Sequence, residues 1–333
     1  MRVPPLISTP EAVKTELDLL KALEDIEAAF SIIKKKGKTV DMHPVDKNYD
    51  NLKCEIKPIP AGDKMEKVIK DYVRMTHAPT HNSYDLEVLQ AFELNKSGEV
   101  ESFCDYGTRR LLWHGSRITN WMGILGRGLK IAPPEAPSTG YMFGKGVYFA
   151  DCASKSANYT YPTSREKVGI MALCEVCDDS SLLDLYRVVG TCHNYGRQVR
   201  SFVYAGVIPC QIFIKLLVWL AMKKAGSVRR TEFWTASVWP LFQVSLGEIN
   251  PLMNADYNAN QLPKGKHSVQ GVGRNIPDPS TWITLDDGVV VPCGKLIESK
   301  VENATLWYNE FIVYDVRQIR LRYLVQLKFK YNY

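Results

Sequence analysis

The sequence lacks a cysteine framework. Its eight cysteines (54, 104, 152, 174, 177, 192, 210 and 293) are scattered through 333 residues without disulfide-scaffold spacing, which points to an intracellular, reducing setting. One grouping, Cys174, Cys177, Cys192 and His193, has the outline of a metal site. Adjacent residues rarely turn both side chains to one ion, however, and Cys174 lies in a strand-like run, so no metal is expected. The opening MRVPPLISTP lacks the apolar core of a secretory signal. No apolar run reaches the roughly 20 residues that span a bilayer: VIPCQIFIKLLVWLAMKK (207–224) is broken by Gln211 and Lys215. No membrane attachment is expected, although an amphipathic surface segment stays open there. The formal charge of +6 is mild for this length, and by itself does not mark a nucleic-acid binder. Regular strand–helix alternation is missing too, which argues against a doubly wound sheet. Glycine pairs 126/128 and 144/146 do not open a helix after a strand, so a dinucleotide fold of that kind is not indicated.

What is present is a helix, then many strands. Residues 9–33 read as a helix: Thr9 caps it, Pro10 suits its first turn, and Leu19, Leu23, Ile26, Phe30 and Ile33 recur at helical spacing. KKKGK then stops it. Its broad apolar stripe has no second long helix nearby to cover it. MHPVDKNYDNL reads as a linker, Met65–Met75 as an amphipathic helix, and THAPTHNSYDLEVLQAFEL as a loop entering a strand. Further strands are expected at Arg110–His114, Val147–Ala150, Val168–Val176, Phe311–Tyr314 and Leu321–Phe329, with short helices at Trp121–Leu125 and Cys152–Tyr159. The fold class this implies is α+β with a mainly antiparallel β core.

Three stretches have the residue types of a reactive site. In YMFGKGVYFADCASKSANY (141–159), Asp151 can cap a helix whose Cys152, Ser156 and Tyr159 fall at i, i+4 and i+7. A packing face would use leucine or isoleucine there, so this polar, aromatic face suits a ligand. LLWHGSR (111–117) ends a strand in His114, Gly115 and Ser116, where a glycine lets a planar amide approach the main chain. A simple strand-end histidine in a turn fits those residues equally well. YNEF places Glu310 at the head of a strand, where a carboxylate can bind a sugar hydroxyl and stabilise charge developing at an anomeric carbon. A solvated strand-end glutamate is the plainer alternative.

Taken together, LLWHGSR, GLKIAPPEAPSTGYMFGKGVYFAD, SKSANY, GKHSVQGVG, DDGVVVP and YNEFIVYD closely resemble the catalytic domain of the DNA-damage-responsive poly(ADP-ribose) polymerases. The resemblance runs from about Val45 to Tyr333, apart from 177–244. The segment 1–38 resembles the last part of the helical regulatory domain of that family, which explains the uncovered stripe. Its earlier helices and the DNA-binding domains are not found in this sequence, so activity without DNA is expected. The resemblance implies an ADP-ribosyltransferase fold, NAD as substrate, protein acceptors including the enzyme itself, a nuclear location and a part in DNA repair. It assigns catalysis to Glu310, His114 and Tyr148. His114 would hold either the adenosine-side or the nicotinamide ribose, and the Gly115 main chain the nicotinamide amide. Ser156 would bond the same amide, Tyr159 would stack on the ring, and Tyr148 would form the opposite wall. Ser116, Asn120, Gly128 and Lys130 would line the adenosine half, with Lys155 beside the nicotinamide pocket.

Two departures stand out. Lys130 occupies a position where the family leads one to expect arginine, which keeps the charge but loses the planar fork. More serious is the stretch 177–244, which separates VGIMALCEV from SLGEINPL where the family runs from one directly into the other. Such an interruption would open a β strand. The alternative function is therefore a non-catalytic NAD-binding remnant distorted by that insertion.

Overall fold

A computed structural model describes residues 8–10, 43–107, 109–133, 140–162, 167–177 and 248–332, with isolated positions between 12 and 31. Most of the helix expected over 9–33 lies outside the described residues. Its start is present, and Thr9 caps it as the sequence suggested. Thr9 Oγ1 accepts from Ala12 N at 3.1 Å and its carbonyl from Val13 N at 3.0 Å. The expected insertion, apart from Cys177, also falls outside, together with Cys192, His193 and the apolar run 207–224.

The supposed linker is a helix, α1 (Pro44–Leu52). Pro44 opens it, His43 Nδ1 accepts from Val45 N at 3.3 Å, and Lys53 closes it in the left-handed region at φ 50°. Its composition is polar, and among its described side chains Leu52 is the apolar one that is buried, so hydrophobic periodicity gives little sign of it. The next helix, α2 (Lys64–Met75), follows expectation. Asp63 caps it by accepting from Met65 N at 2.7 Å, and Val68, Ile69, Tyr72 and Val73 face inward.

Strands dominate the rest, and they are mainly antiparallel, as the α+β reading requires. A seven-stranded sheet is built from β1 (Cys54–Pro58), β2 (Tyr84–Lys96), β3 (Arg109–Gly115), β5 (Val168–Cys177), β9 (Ile283–Thr284), β10 (Val290–Val291) and β14 (Ile319–Tyr331). Its order is β1-β2-β14-β5-β3-β10-β9, with only β3 and β10 parallel. A four-stranded sheet runs β4 (Val147–Phe149), β13 (Glu310–Val313), β7 (Lys266–Gly271), β6 (Glu248–Leu252). A three-stranded sheet joins β11 (Leu296–Glu298), β8 (Gly273–Pro277) and β12 (Leu306–Tyr308).

The period-2 alternation of β3 sorts its side chains to two faces. Leu111 and Trp113 enter one core with Ile69, Tyr72, Met171 and Leu327. Leu112 enters the other, with Phe149, Ala172, Cys174, Phe311 and Val313. His114 has the parity of Leu112, so it points toward the four-stranded sheet. Cys174 is a core thiol whose ionisation burial strongly opposes, a poor starting point for a metal site. Only Cys177 of the stretch 177–244 is among the described residues. β5 ends in the seven-stranded sheet, while β6 pairs with β7 in the four-stranded one, so the stretch lies where the chain changes sheets.

Candidate functional site

The site forms where two sheets touch. Trp113 N donates to Ala150 O at 2.9 Å, and Ala150 N to Trp113 O at 3.0 Å. This single bridge joins the end of β3 to the end of β4. On the far side of β4, β13 pairs antiparallel with Tyr148 opposite Ile312, which brings Glu310 to the same edge. Three strands distant in sequence thus deliver His114, Tyr148 and Glu310 to one junction.

His114 Nδ1 lies 3.0 Å from the main-chain oxygen of Tyr148. Only a protonated nitrogen can bond a carbonyl, so Nδ1 carries the proton and Nε2 is left as an acceptor. Burial lowers the pKa of the ring and keeps it neutral, the hydrogen bond to Tyr148 opposing only in part. A neutral Nε2 acceptor suits a sugar hydroxyl.

Gly115 is held against Ser156. A Cβ at Gly115 would fall 1.8 Å from the Ser156 main-chain oxygen, so only glycine permits this approach. Ser156 Oγ donates to Trp113 O at 3.0 Å, which leaves its lone pairs able to accept an amide N–H. Ser156 belongs to α4 (Ala153–Ala157), a helix of five residues continued by a 3-10 turn through Tyr159. Tyr159 is 53% exposed. Burial, with the Glu310 charge adding to it, raises the pKa of Tyr159. Tyr148 is fixed by its own loop: its hydroxyl donates to Gly144 O at 2.7 Å and accepts from Phe143 N at 3.0 Å.

The three-residue polar face expected on this helix is only partly formed. Cys152 precedes the helix in an extended conformation and is wholly buried, with Sγ 3.2 Å from Thr76 O; burial pushes its thiol up to about 11. The change to 3-10 geometry past Ala157 further breaks the helical spacing. Asp151 does not cap the helix either. It reaches across to Asn309, whose only signal in the sequence is a polar residue between two strand segments.

Glu310 Oε1 lies 3.0 Å from Lys155 Nζ, and both side chains are largely buried. Ser116 and Asn120 also meet, Asn120 Nδ2 donating to Ser116 Oγ at 3.0 Å, just beyond His114 at the start of α3 (Trp121–Arg127). Gly128 ends α3 at φ 78°, and Lys130 is exposed in the loop that follows. Among the described residues no hydrogen bond or ion pair joins Gly128 or Lys130 to the His114–Tyr148–Glu310 group. Among the same residues no cluster of three or more His, Cys, Asp or Glu stands ready to hold a metal, and no helix is long and apolar enough to cross a membrane.

Comparison with known proteins agrees with this architecture. The family model described as "Poly(ADP-ribose) polymerase catalytic domain" matches residues 65–186 and 231–329, and "Poly(ADP-ribose) polymerase, regulatory domain" matches 1–49. Similar curated proteins include "Poly [ADP-ribose] polymerase 2-A" of Oryza sativa subsp. japonica, 39% identical over 98% of this chain and 40% of that protein. "Poly [ADP-ribose] polymerase 1" of Gallus gallus is 38% identical over 100% of this chain and 26% of its own length. "Poly [ADP-ribose] polymerase 2" of Homo sapiens is 36% identical over 99% and 46%. The chain therefore spans less than half the length of these relatives.

Proposed function

Since the chain belongs to the poly(ADP-ribose) polymerase family, we propose that it transfers ADP-ribose from NAD to protein acceptors, itself included, and extends it into polymer with release of nicotinamide. The observation that carries this reading is the convergence of His114, Tyr148 and Glu310 on one edge beside the Gly115–Ser156 contact.

Each group has work suited to its geometry. The Gly115 main chain and Ser156 Oγ hold the nicotinamide amide, with Tyr148 and Tyr159 as the walls around the ring. His114 Nε2 accepts from a ribose hydroxyl. Ser116, Asn120, Gly128 and Lys130 take the adenosine half, with Lys130 giving a weaker hold than arginine would. As the bond between the anomeric carbon and the nicotinamide nitrogen breaks, its electron pair leaves with nicotinamide, and positive charge grows on the sugar. The Glu310 carboxylate, steered by Lys155, accepts the 2′-hydroxyl proton in a hydrogen bond and stabilises that charge. An acceptor oxygen then bonds the anomeric carbon and gives up its proton.

We further assign residues 1–38 to a remnant of the helical regulatory domain and 39–333 to the catalytic domain, with 177–244 as an atypical insertion. A nuclear location and a role in DNA repair follow as parts of this reading, and immunolocalisation of the tagged chain tests the first.

The direct test is incorporation of labelled NAD into protein, with and without nicked DNA, beside Glu310→Gln and a version lacking 177–244. Labelling without DNA that Glu310→Gln abolishes is the expected result. Labelling that persists in Glu310→Gln would overturn the assignment. Labelling confined to the shortened version would make this chain a sound site spoiled by its insertion.

A further inference from the structure

Asn309 is the single residue between β12 and β13, and those strands belong to different sheets. The main-chain ladder is broken at this joint, and the Asn309 side chain fills the gap. Its Oδ1 accepts from Gly273 N at 2.9 Å and from Gln270 Nε2 at 3.2 Å. Two donors on the oxygen determine which way the amide faces, so Nδ2 points the other way. It donates to Asp151 Oδ2 at 2.7 Å. Asp151 is 2% exposed and Asn309 4%, and the other oxygen of Asp151 has no hydrogen-bond partner among the described residues.

The same short segment is held from its other sides. A Cβ at Gly273 would come within 2.4 Å of the Tyr308 carbonyl carbon and 2.5 Å of Asn309 N, so the β8 main chain lies directly against the peptide that joins Tyr308 to Asn309. Lys155 Nζ bonds the carbonyls of Tyr308 and Asn309 at 2.9 and 3.2 Å. Asp151 follows the bridged Ala150 and lies four residues before Lys155, so one turn of chain supplies both holds. An apolar residue at 151 would fill this buried place without the cost of enclosing a carboxylate. Burial pushes the Asp151 carboxyl up to about 6, against the favourable effect of Asn309, Arg110 and Lys155. The fold tolerates an expensive group here, one residue away from the glutamate that the chemistry depends on.

We infer that Asp151 is a positioning residue: through Asn309 it fixes the peptide that carries Glu310, and so sets where that carboxylate meets the sugar. The inference rests on the role given to Glu310 above. No atom of Asp151 is required to touch NAD.

The test is a double-mutant cycle on nicotinamide release from NAD, with kcat and KM measured separately. Asp151→Leu keeps the fork at Cγ, with more bulk, and removes the acceptor. It should lower kcat about tenfold or more while KM for NAD stays within about twofold, as misplacement of a reacting group does. Asp151→Asn, which retains an acceptor for Asn309, should recover most of the loss. In the Glu310→Gln background Asp151→Leu should cause no additional fall. A loss that multiplies with Glu310→Gln, or one that appears in KM, would overturn the inference. Full activity of Glu310→Gln alone would instead overturn the functional reading beneath it. Should Asp151→Leu fail to fold, the smaller Asp151→Ala also removes the acceptor, and it should show the same kcat loss and the same non-additivity. Unfolding of both variants, seen by circular dichroism, would also sink the idea, because the pair would then be holding the fold and not the carboxylate.

Discussion

Lys155 spends all three of its ammonium protons on three consecutive residues: Glu310 Oε1 at 3.0 Å, Tyr308 O at 2.9 Å and Asn309 O at 3.2 Å. The lysine is a clamp on the segment as much as a partner for the carboxylate. Lys155→Met should therefore lower kcat by roughly ten- to a hundredfold with a smaller change in KM. Lys155→Arg should restore little, since a planar fork cannot match three acceptors arranged around a point charge. Steady-state kinetics decides it, and an unchanged kcat in Lys155→Met would remove the clamp from the mechanism.

The Gly115–Ser156 contact leaves no room for a methyl group. Gly115→Ala must push α4 off the end of β3, at a cost of about 1–3 kcal/mol. Both the thermal midpoint and the affinity for nicotinamide should fall. A variant that binds nicotinamide as well as the parent, measured by calorimetry, would show that the contact does not shape the pocket.

Tyr148→Phe would leave Phe143 N and Gly144 O without the hydroxyl that now serves both. The expected loss of stability is about 1–3 kcal/mol, and the loop 141–147 should become more open to protease. An unaltered melting curve together with unaltered cleavage would contradict this.

Two buried groups give the stability opposite responses to pH. His114 has its pKa lowered in the fold, so between that value and the unfolded value of about 6.5 the unfolded chain binds more protons. Stability is thus lost as pH falls through this window, and His114→Gln should relieve the loss only in acid. Asp151 is raised from 3.8 to about 6, so the folded state holds the extra proton and stability declines as pH rises from 3.8 to about 6. The decline amounts to about 3 kcal/mol and is flat above that range. Asp151→Asn should gain over the parent across this interval and keep the gain at neutral pH. Melting temperatures across pH 4 to 8 report both effects; parallel curves for parent and Asp151→Asn would reject the second.

Much of the architecture was readable because its signals are local. The strands Val168–Cys177 and Ile319–Tyr331 are rich in apolar and β-branched residues, and the sequence places them to within about two residues at each end. Pro44–Leu52 reads as a linker in the sequence because a polar helix shows its caps but little periodicity. Ser156 and Tyr159 lie on the short helix and the 3-10 turn that continues it, whereas Cys152 precedes a helix that has not yet begun at that point. Asn309 and Asp151 escaped because their meeting depends on β4, β8 and β13 coming together, and no spacing in the chain encodes that. Glu310 stands out in the sequence as a carboxylate at a strand head, but its ion pair with Lys155 does not.

The change of sheet between β5 and β6 has a practical consequence. β5 stops at Cys177 against Arg109, and β6 starts at Glu248 in a different hydrogen-bonded layer. The entropy of joining the ends of these two strands grows only slowly with the length of chain between them. This seam is the natural port for engineered cargo: a fluorescent reporter grafted there would leave the pairing of both layers in register.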